Sequence, residues 1–141
     1  MLADLYMLLS SVKQVYVDVD GTMLSNKHDQ RFQEKIKEVG FQEAVAWYDN
    51  TEVDDLEVNT ELLETLEQVR GEGVKVILWT NRGPKQIEMT KRNLGHWTSI
   101  FSDMLFREGR KSKDVLQGGV VLDNEEKYLL NAETGVKVIF A

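Results

Sequence analysis

The stretch VYVDVDGTML, residues 15–24, carries the pattern that decides the fold. Its first half is rich in β-branched and aromatic residues, which predicts a buried strand. The strand runs into two acids, Asp18 and Asp20, and the chain then reaches Gly21, a residue that tolerates sharp turns. Because side chains alternate along a strand, we expect both carboxylates to point the same way, where they can bind a hard cation such as Mg²⁺. By itself the segment is equally compatible with an ordinary turn, so the rest of the chain must decide.

The composition indicates one folded domain, which we expect to span residues 1–141. Hydrophobic residues make up 42% of the chain and charged residues 29%, values that are typical of globular proteins. The absence of cysteine excludes disulfides and thiolate chemistry and suits the cytoplasm, the location we expect. No apolar run is long enough to span a bilayer, so we expect no membrane partner. The opening MLADLYMLLSS predicts a lead-in helix or strand rather than a secretion signal.

Apolar runs alternate with helical patterns along the chain. The runs predict five strands, at about residues 12–18, 74–80, 103–106, 120–122 and 136–140. The main helices are predicted over residues 61–70, 84–94, 113–117 and 125–133. This alternation predicts a Rossmann-like, three-layer α/β/α fold with a central, mainly parallel five-stranded sheet.

Residues 25–58 interrupt the alternation after the first strand, and we interpret them as a small cap-like insertion. Phe32, Ile36 and Val39 lie at helical spacing and predict a short helix. An aromatic group that includes Tyr48 follows. Those aromatics either belong to the core, which we favour, or roof a cleft.

Three of the predicted strands end in polar residues. The pairs are Asp18 and Asp20, then Thr80 and Asn81, then Asp123 and Asn124, with Lys111 and Lys113 ahead of the third pair. Because the carboxyl ends of parallel strands meet at one edge of a sheet, we expect these groups to surround one small volume. Turn chemistry alone gives no reason for such an order.

In these residues the sequence resembles the haloacid dehalogenase (HAD) superfamily, whose members are mostly phosphatases. VYVDVDGTML resembles the first motif of that family, VILWTNRG the second and VVLDNEE the fourth, whereas the lysine motif is matched only by a lysine near a helix start. The resemblance covers the chain from about residue 12 to its end. It implies a small Mg²⁺-dependent phosphatase that hydrolyses a phosphomonoester through an aspartyl phosphate.

The resemblance also implies a role for each matching residue. Asp18 would be the nucleophile, and Asp20 the general acid and then the base. Thr22 would help to position Asp20 and the turn and belongs to the expected substrate-binding set. Thr80 would bind a phosphoryl oxygen, helped by the backbone N–H of Asn81.

The expected cofactor is Mg²⁺, held by Asp18, the backbone carbonyl of Asp20 and Asp123. Lys113 would neutralise charge on Asp18 and on the phosphoryl group, with Lys111 as the fallback. In the fourth motif this chain has Asn124 where the family often has a second acid. That difference either weakens the metal site or moves a ligand to the following glutamates.

Two other functions stay open at this point. Compact members resemble the phosphatase part of polynucleotide kinase-phosphatases, so nucleic-acid ends are a second substrate class. The net charge of −7 argues against it, while a local basic group keeps it open: Arg107, Arg110, Lys111 and Lys113. The third is a non-catalytic Rossmann-like module that binds phosphate or Mg²⁺. We therefore expect a small phosphorylated substrate, and the sequence leaves the oligomeric state open.

Charged and aromatic residues beside these motifs receive less specific interpretations. We expect His28 and His96 to lie on the surface or in loops without a role. Arg82 and Lys85 lie beside the second polar pair and either contact a substrate phosphate or are helix-surface charges, the interpretation that we favour. Tyr48 could stack on a ring.

Overall fold

The computed structural model describes residues 2–107, 119–130 and 132–141. Its α-helices are α1 (Ala3–Leu9), α2 (Lys27–Val39), α3 (Phe41–Asn50), α4 (Thr60–Gly71) and α5 (Ile87–Leu94). Its strands are β1 (Gln14–Val17), β2 (Lys75–Trp79), β3 (Asp103–Leu105), β4 (Val120–Asp123) and β5 (Thr134–Lys137). Short 3-10 helices cover Pro84–Gln86, Gly95–Ile100 and Glu126–Tyr128. Across these described ranges, every helix is too short or too polar to cross a bilayer.

The strands form one sheet in the order β3-β2-β1-β4-β5, and all four neighbouring pairs are parallel. Val15 in β1 pairs with Val76 of β2 on one side and with Val120 of β4 on the other. Strands β2 and β3 therefore lie on one side of β1, and β4 and β5 lie on its other side. A crevice forms where the strand order reverses, just beyond the carboxyl end of β1. The predicted parallel, Rossmann-like α/β fold is confirmed.

The core lies between this sheet and the helix that precedes β2. Val15 and Val17 of β1 and Leu78 of β2 lie on one face of the sheet and are fully buried. They pack in one cluster with Leu62 and Leu66 of α4. Helix α4 begins at the predicted cap, since the Asn59 side chain accepts a hydrogen bond from the Leu62 N–H at 3.3 Å.

The region after β4 differs from the prediction. The helix predicted over residues 125–133 is wrong for the described part of that segment, which contains the 3-10 turn Glu126–Tyr128. Strand β5 begins at Thr134, two residues before the predicted start, and pairs that residue with Val120 at the beginning of β4. The connection must therefore run back along the whole of β4, which leaves too few residues for a nine-residue helix. The helix predicted over residues 113–117 lies outside the described residues.

The segment between β1 and α4 is more helical than predicted. The short helix expected around Phe32 extends over all of α2, and the aromatic stretch after Gly40 forms α3. The two helices pack against each other, with the Phe32 ring 6.4 Å from that of Phe41 and 5.0 Å from that of Tyr48. This helix pair brings aromatic side chains toward the carboxyl end of the sheet.

We expect Leu78→Ala to lower the free energy of unfolding by about 2–5 kcal/mol, because Leu78 is fully buried in a central strand and its removal leaves a cavity. Urea denaturation followed by circular dichroism measures the change. The control is Ile139→Ala, at a side chain that is 66% exposed, which we expect to change stability by less than about 0.5 kcal/mol. Similar small losses for both variants would contradict the assigned core.

Candidate active site

Five of the residues predicted for the site lie around one cavity at the carboxyl end of the sheet. Its volume is about 470 Å³, and Asp18, Asp20, Thr80, Asn81 and Asp123 all line it. Asp18 follows directly on β1, and Asp123 is the last residue of β4. The pairing of these strands continues into the hydrogen bond from the Asp18 N–H to the Leu122 carbonyl at 2.9 Å. The parallel register is thus what brings together residues that lie far apart in the sequence.

Thr22 lies behind this cavity and contacts Asp18 rather than the Asp20 side chain. Its hydroxyl is fully buried, 3.3 Å from Asp18 Oδ2 and 3.2 Å from the Val138 carbonyl oxygen, so its one proton is shared between them. The segment after β5 also donates the Phe140 N–H to the Gly21 carbonyl at 2.7 Å. The Thr22 hydroxyl thus contacts Asp18 from behind the cavity, and the segment after β5 holds the turn at Gly21.

Three oxygen atoms converge on the side-chain amide of Asn124. With its nitrogen toward them, the amide lies 2.9 Å from Asp18 Oδ2 and 3.1 Å from both Asp123 Oδ1 and the Asp20 carbonyl oxygen, and its two N–H groups are shared among these three acceptors. The Glu125 N–H donates to the same Asp123 oxygen at 3.0 Å. Asn124, which takes the place of the second acid of the motif, therefore has a structural role. Its amide connects the three groups that are predicted to hold a cation.

These oxygens are also the donor set that a cation would use. In the described part of the chain, no three side chains of histidine, cysteine, aspartate or glutamate are grouped so as to hold a metal ion. Two carboxylates and one backbone carbonyl are nevertheless gathered within hydrogen-bond distance of a single atom. Hard oxygen donors of this kind are the ligands that Mg²⁺ prefers. The residues present fit this cation.

The Asp20 side chain is absent from that donor set because it is paired with Arg82. Arg82 Nε donates to Asp20 Oδ2 at 2.9 Å, and its Nη2 donates to Asp20 Oδ1 at 2.8 Å. The guanidinium is fully buried and the carboxylate nearly so. Burial by itself lowers the pKa of Arg82, but the charge of Asp20 and its hydrogen bonds raise that pKa above its ordinary value.

The prediction that Arg82 is a helix-surface charge is therefore wrong. A sequence signal was present, since Arg82 follows the polar end of a buried strand at the same edge as two acids. Helical periodicity did not reveal it, because Arg82 lies in the turn before Pro84–Gln86 rather than on a helix face. Lys85 is exposed on that short helix, as predicted.

Thr80 and Asn81 contribute polar groups from the end of β2. Thr80 is 3% exposed, and its hydroxyl oxygen accepts a hydrogen bond from the Arg82 N–H at 3.0 Å. Because the oxygen accepts this bond, the hydroxyl proton can point toward the cavity. The Asn81 side chain donates to the Tyr128 hydroxyl at 2.7 Å, which ties the end of β2 to the turn after β4.

Helices α2 and α3 form one wall of the cavity. Their contributing side chains are Asp29, Phe32, Gln33, Ile36, Phe41, Val45 and Tyr48. The Tyr48 hydroxyl reaches Asp20 Oδ2 at 3.4 Å. Burial, followed by the negative charge of Asp20, raises the pKa of Tyr48 well above its ordinary value, so the phenol stays protonated and donates.

His28 is fully buried, so its predicted place on the surface or in a loop is wrong. Its ring stacks on that of Tyr48, with centroids 4.2 Å apart and an interplanar angle of 14°. Gln86 Nε2 lies 3.1 Å from His28 Nε2 and donates to the Tyr48 carbonyl, which assigns the acceptor role to His28 Nε2. Burial lowers the pKa of His28 to about 4, so the ring is neutral near pH 7. His96 is exposed, as predicted.

The predicted lysines Lys111 and Lys113, together with Arg110, lie outside the described residues. Arg107 of the predicted basic group lines the cavity, and its Nη2 donates to Asp49 Oδ1 at 2.8 Å. The rim of the cavity carries both signs of charge.

A family model described as HAD superfamily, subfamily IIIB (acid phosphatase), matches residues 5–118 of the chain. No curated protein matches the chain in sequence.

Two solved structures are similar in fold. One is a haloacid dehalogenase-like family hydrolase from Streptococcus pneumoniae, which is 12% identical with a TM-score of 0.63 over 86% of this chain and 80% of that one. The other is a chain of the Pnkp1/Rnl/Hen1 complex, which is 21% identical with a TM-score of 0.61 over 91% of this chain and 46% of that one. At these identities the likeness concerns the fold.

We expect Gly21→Ala to destabilise the protein more than Gly73→Ala does. Both glycines have positive φ angles, +83° and +102°, which cost a side-chain residue about 1–3 kcal/mol. A Cβ at Gly21 would also lie 2.8 Å from Asn124 Cγ, whereas a Cβ at Gly73 meets no atom within 4 Å. The additional loss should be at least about 1 kcal/mol in urea denaturation. Equal losses would show that Asn124 moves aside freely.

We expect the stability of the protein to fall between pH 6.5 and pH 4 because of His28. The pKa of this residue is about 4 when folded and 6.5 when unfolded, so only the unfolded chain gains the proton in this range. The full effect is about 3 kcal/mol of unfolding free energy, present above pH 6.5 and lost toward pH 4. Urea denaturation across this range should show a shallower pH dependence for His28→Phe. The exposed-residue control His96→Gln should keep the wild-type dependence, and an unchanged slope in His28→Phe would contradict the assignment.

Proposed function

Because the chain belongs to the HAD superfamily, subfamily IIIB, a family of acid phosphatases, we propose that it is a Mg²⁺-dependent phosphatase that acts through an aspartyl phosphate. Membership in this family makes the chain a phosphatase. The cation, the covalent intermediate and the residue roles are the further content of the proposal.

One observation carries the proposal. Asp18 Oδ2, Asp123 Oδ1 and the Asp20 carbonyl oxygen all lie within 3.1 Å of the Asn124 amide, in a cavity that Thr80 also lines. Phosphoryl transfer depends mainly on positioning and on offsetting negative charge. A cavity that combines a nucleophilic carboxylate, a cation donor set and a hydroxyl is suited to that chemistry.

In the first step, a carboxylate oxygen of Asp18 attacks phosphorus and the bond to the ester oxygen breaks. Contacts from Thr22 and Asn124 hold Asp18 Oδ2, which orients the carboxylate for attack by its other oxygen. In the structure Asp20 is a carboxylate paired with Arg82, so it takes up a proton, from solvent or from the water consumed in the preceding turnover, before this step. It then gives that proton to the departing ester oxygen. In the second step, water attacks phosphorus, its proton goes to the Asp20 carboxylate, and the bond from Asp18 to phosphorus breaks.

Asp18, Asp123 and the Asp20 carbonyl would hold Mg²⁺. When bound, this cation supplies positive charge that reduces the repulsion between the Asp18 carboxylate and the phosphate. Lys113, with Lys111 as the alternative, remains the proposed lysine that neutralises charge on Asp18 and on the phosphoryl group.

Thr80 and Asn81 would orient the phosphoryl group. The Thr80 oxygen already accepts the Arg82 N–H, so its hydroxyl has a proton to donate to a phosphoryl oxygen. The Asn81 backbone N–H is the second proposed donor. Both residues follow a buried strand, which supports their use as rigid contacts.

A small phosphorylated substrate is favoured over a nucleic-acid end. Asp29 and Glu125 line the cavity beside Arg107 and Lys127, and Arg107 is already paired with Asp49. Such a rim, on a chain of net charge −7, does not favour a polyanionic strand. The similarity in fold to a chain of the Pnkp1/Rnl/Hen1 complex keeps a nucleic-acid end phosphatase as the second candidate. Comparing phosphorylated oligonucleotides with mononucleotides separates the two.

We expect hydrolysis of 4-nitrophenyl phosphate to require Mg²⁺ and to fall at least about a thousandfold in Asp18→Asn, because the amide cannot replace the nucleophile. Initial rates with and without Mg²⁺ measure both effects. Mass spectrometry of acid-quenched wild-type protein should also detect a phosphorylated form that Asp18→Asn lacks.

The matched control is Asp4→Asn, an exposed acid of α1, which should retain wild-type rates. Full activity of Asp18→Asn would contradict the nucleophile, and activity without Mg²⁺ would contradict the cofactor. Mg²⁺ binding without turnover of any phosphomonoester would favour the non-catalytic binding module instead.

A further inference from the structure

The Asp20 carboxyl group is held by contacts that none of the sequence motifs anticipated. Both of its oxygens accept hydrogen bonds from Arg82, at 2.8 Å and 2.9 Å, in a bidentate pair. The Tyr48 hydroxyl approaches Oδ2 from the opposite wall at 3.4 Å. Two-point contact with a planar guanidinium fixes the rotation of a carboxylate as well as its position.

Arg82 is itself held in a fixed orientation. Its Nη1 donates to Thr90 Oγ1 and to Asn93 Oδ1, both at 2.9 Å. Thr90 in turn donates to the Gln86 carbonyl at 2.8 Å, and Asn93 donates to the Val53 carbonyl at 2.7 Å. Both acceptors of the guanidinium are thus anchored to backbone, which prevents it from turning.

This arrangement separates two functions of one residue. The Asp20 backbone carbonyl faces the proposed cation donors, while the Asp20 side chain is held toward Arg82. The side chain still lines the cavity, whereas the fully buried Arg82 lies behind it. Arg82 is therefore placed to act on Asp20 rather than on a bound phosphate.

We propose that Arg82 is a positioning residue that aims the Asp20 carboxyl group at the leaving oxygen of the substrate. The proposal rests on the acid–base role of Asp20 in the proposed function. As the ester bond breaks, the Asp20 proton moves to the leaving oxygen, and the resulting carboxylate is stabilised by the fixed positive charge of Arg82. Water later returns a proton to Asp20 when the aspartyl phosphate is hydrolysed.

The leaving group provides the test. 4-Nitrophenolate departs without help from a proton, whereas phenolate and alkoxides depend on a general acid. We measure kcat and KM for wild type, Arg82→Lys and Thr90→Val on 4-nitrophenyl, phenyl and glycerol phosphates. Thr90→Val removes an anchor of Arg82 without touching Asp20, so it stays informative if Arg82→Lys does not fold. Asp20→Asn supplies the reference pattern for a lost general acid.

We expect kcat of both variants to fall about ten- to hundredfold more on phenyl and glycerol phosphates than on 4-nitrophenyl phosphate, with little change in KM. The control is Thr65→Val, a buried threonine that bonds Leu2 N and the Glu61 carbonyl away from the cavity. It should lower thermal stability and leave the dependence on the leaving group unchanged.

Two results would overturn the inference. A uniform loss across all substrates, with lowered thermal stability as in Thr65→Val, would make the Arg82–Asp20 pair purely structural. A raised KM for every substrate with an unchanged leaving-group pattern would make Arg82 a phosphate-binding residue. An inactive wild type, or an active Asp18→Asn, would instead refute the proposed function, so the two failures are distinguishable.

Discussion

The buried ion pair between Asp20 and Arg82 is the constraint on which the arrangement of the site depends. Removing two charges from water is costly, and a bidentate pair with further hydrogen bonds is what offsets that cost. Here the pair joins the turn after β1 to the turn after β2, and Arg82 extends the connection to α5 through Thr90 and Asn93. Loss of either partner would leave an unpaired charge at the carboxyl end of the sheet.

The same constraint explains how one short turn serves two purposes. Because the Asp20 carboxylate is held by Arg82, it is the backbone carbonyl of Asp20, and not its side chain, that belongs to the group of oxygens around the Asn124 amide. Gly21 then allows the chain to pass close to Asn124, because a Cβ there would lie 2.8 Å from Asn124 Cγ. Backbone conformation and charge pairing together keep the proposed general acid apart from the proposed cation donors.

Much of the fold and several site residues were predictable because the signals are local. Alternation of apolar side chains marks β1 and β2, and Asn59 caps α4 through a neighbouring N–H. The helix expected after Asp123 was wrong because the pairing of Thr134 with Val120, a long-range contact, shortens that connection. His28 was misplaced because its burial depends on stacking against Tyr48 of the next helix, which its own periodicity does not encode.

The sequence by itself determined the parallel sheet and the acids, hydroxyl and amides that end its strands, because strand alternation and turn chemistry act between near neighbours. Only the tertiary structure decided that Asp20 faces Arg82, 62 positions away, and that Asn124 joins Asp18 and Asp123. Those contacts depend on the register of β1 against β2 and β4. Register is set by packing of the whole sheet, so no single segment of the chain specifies it.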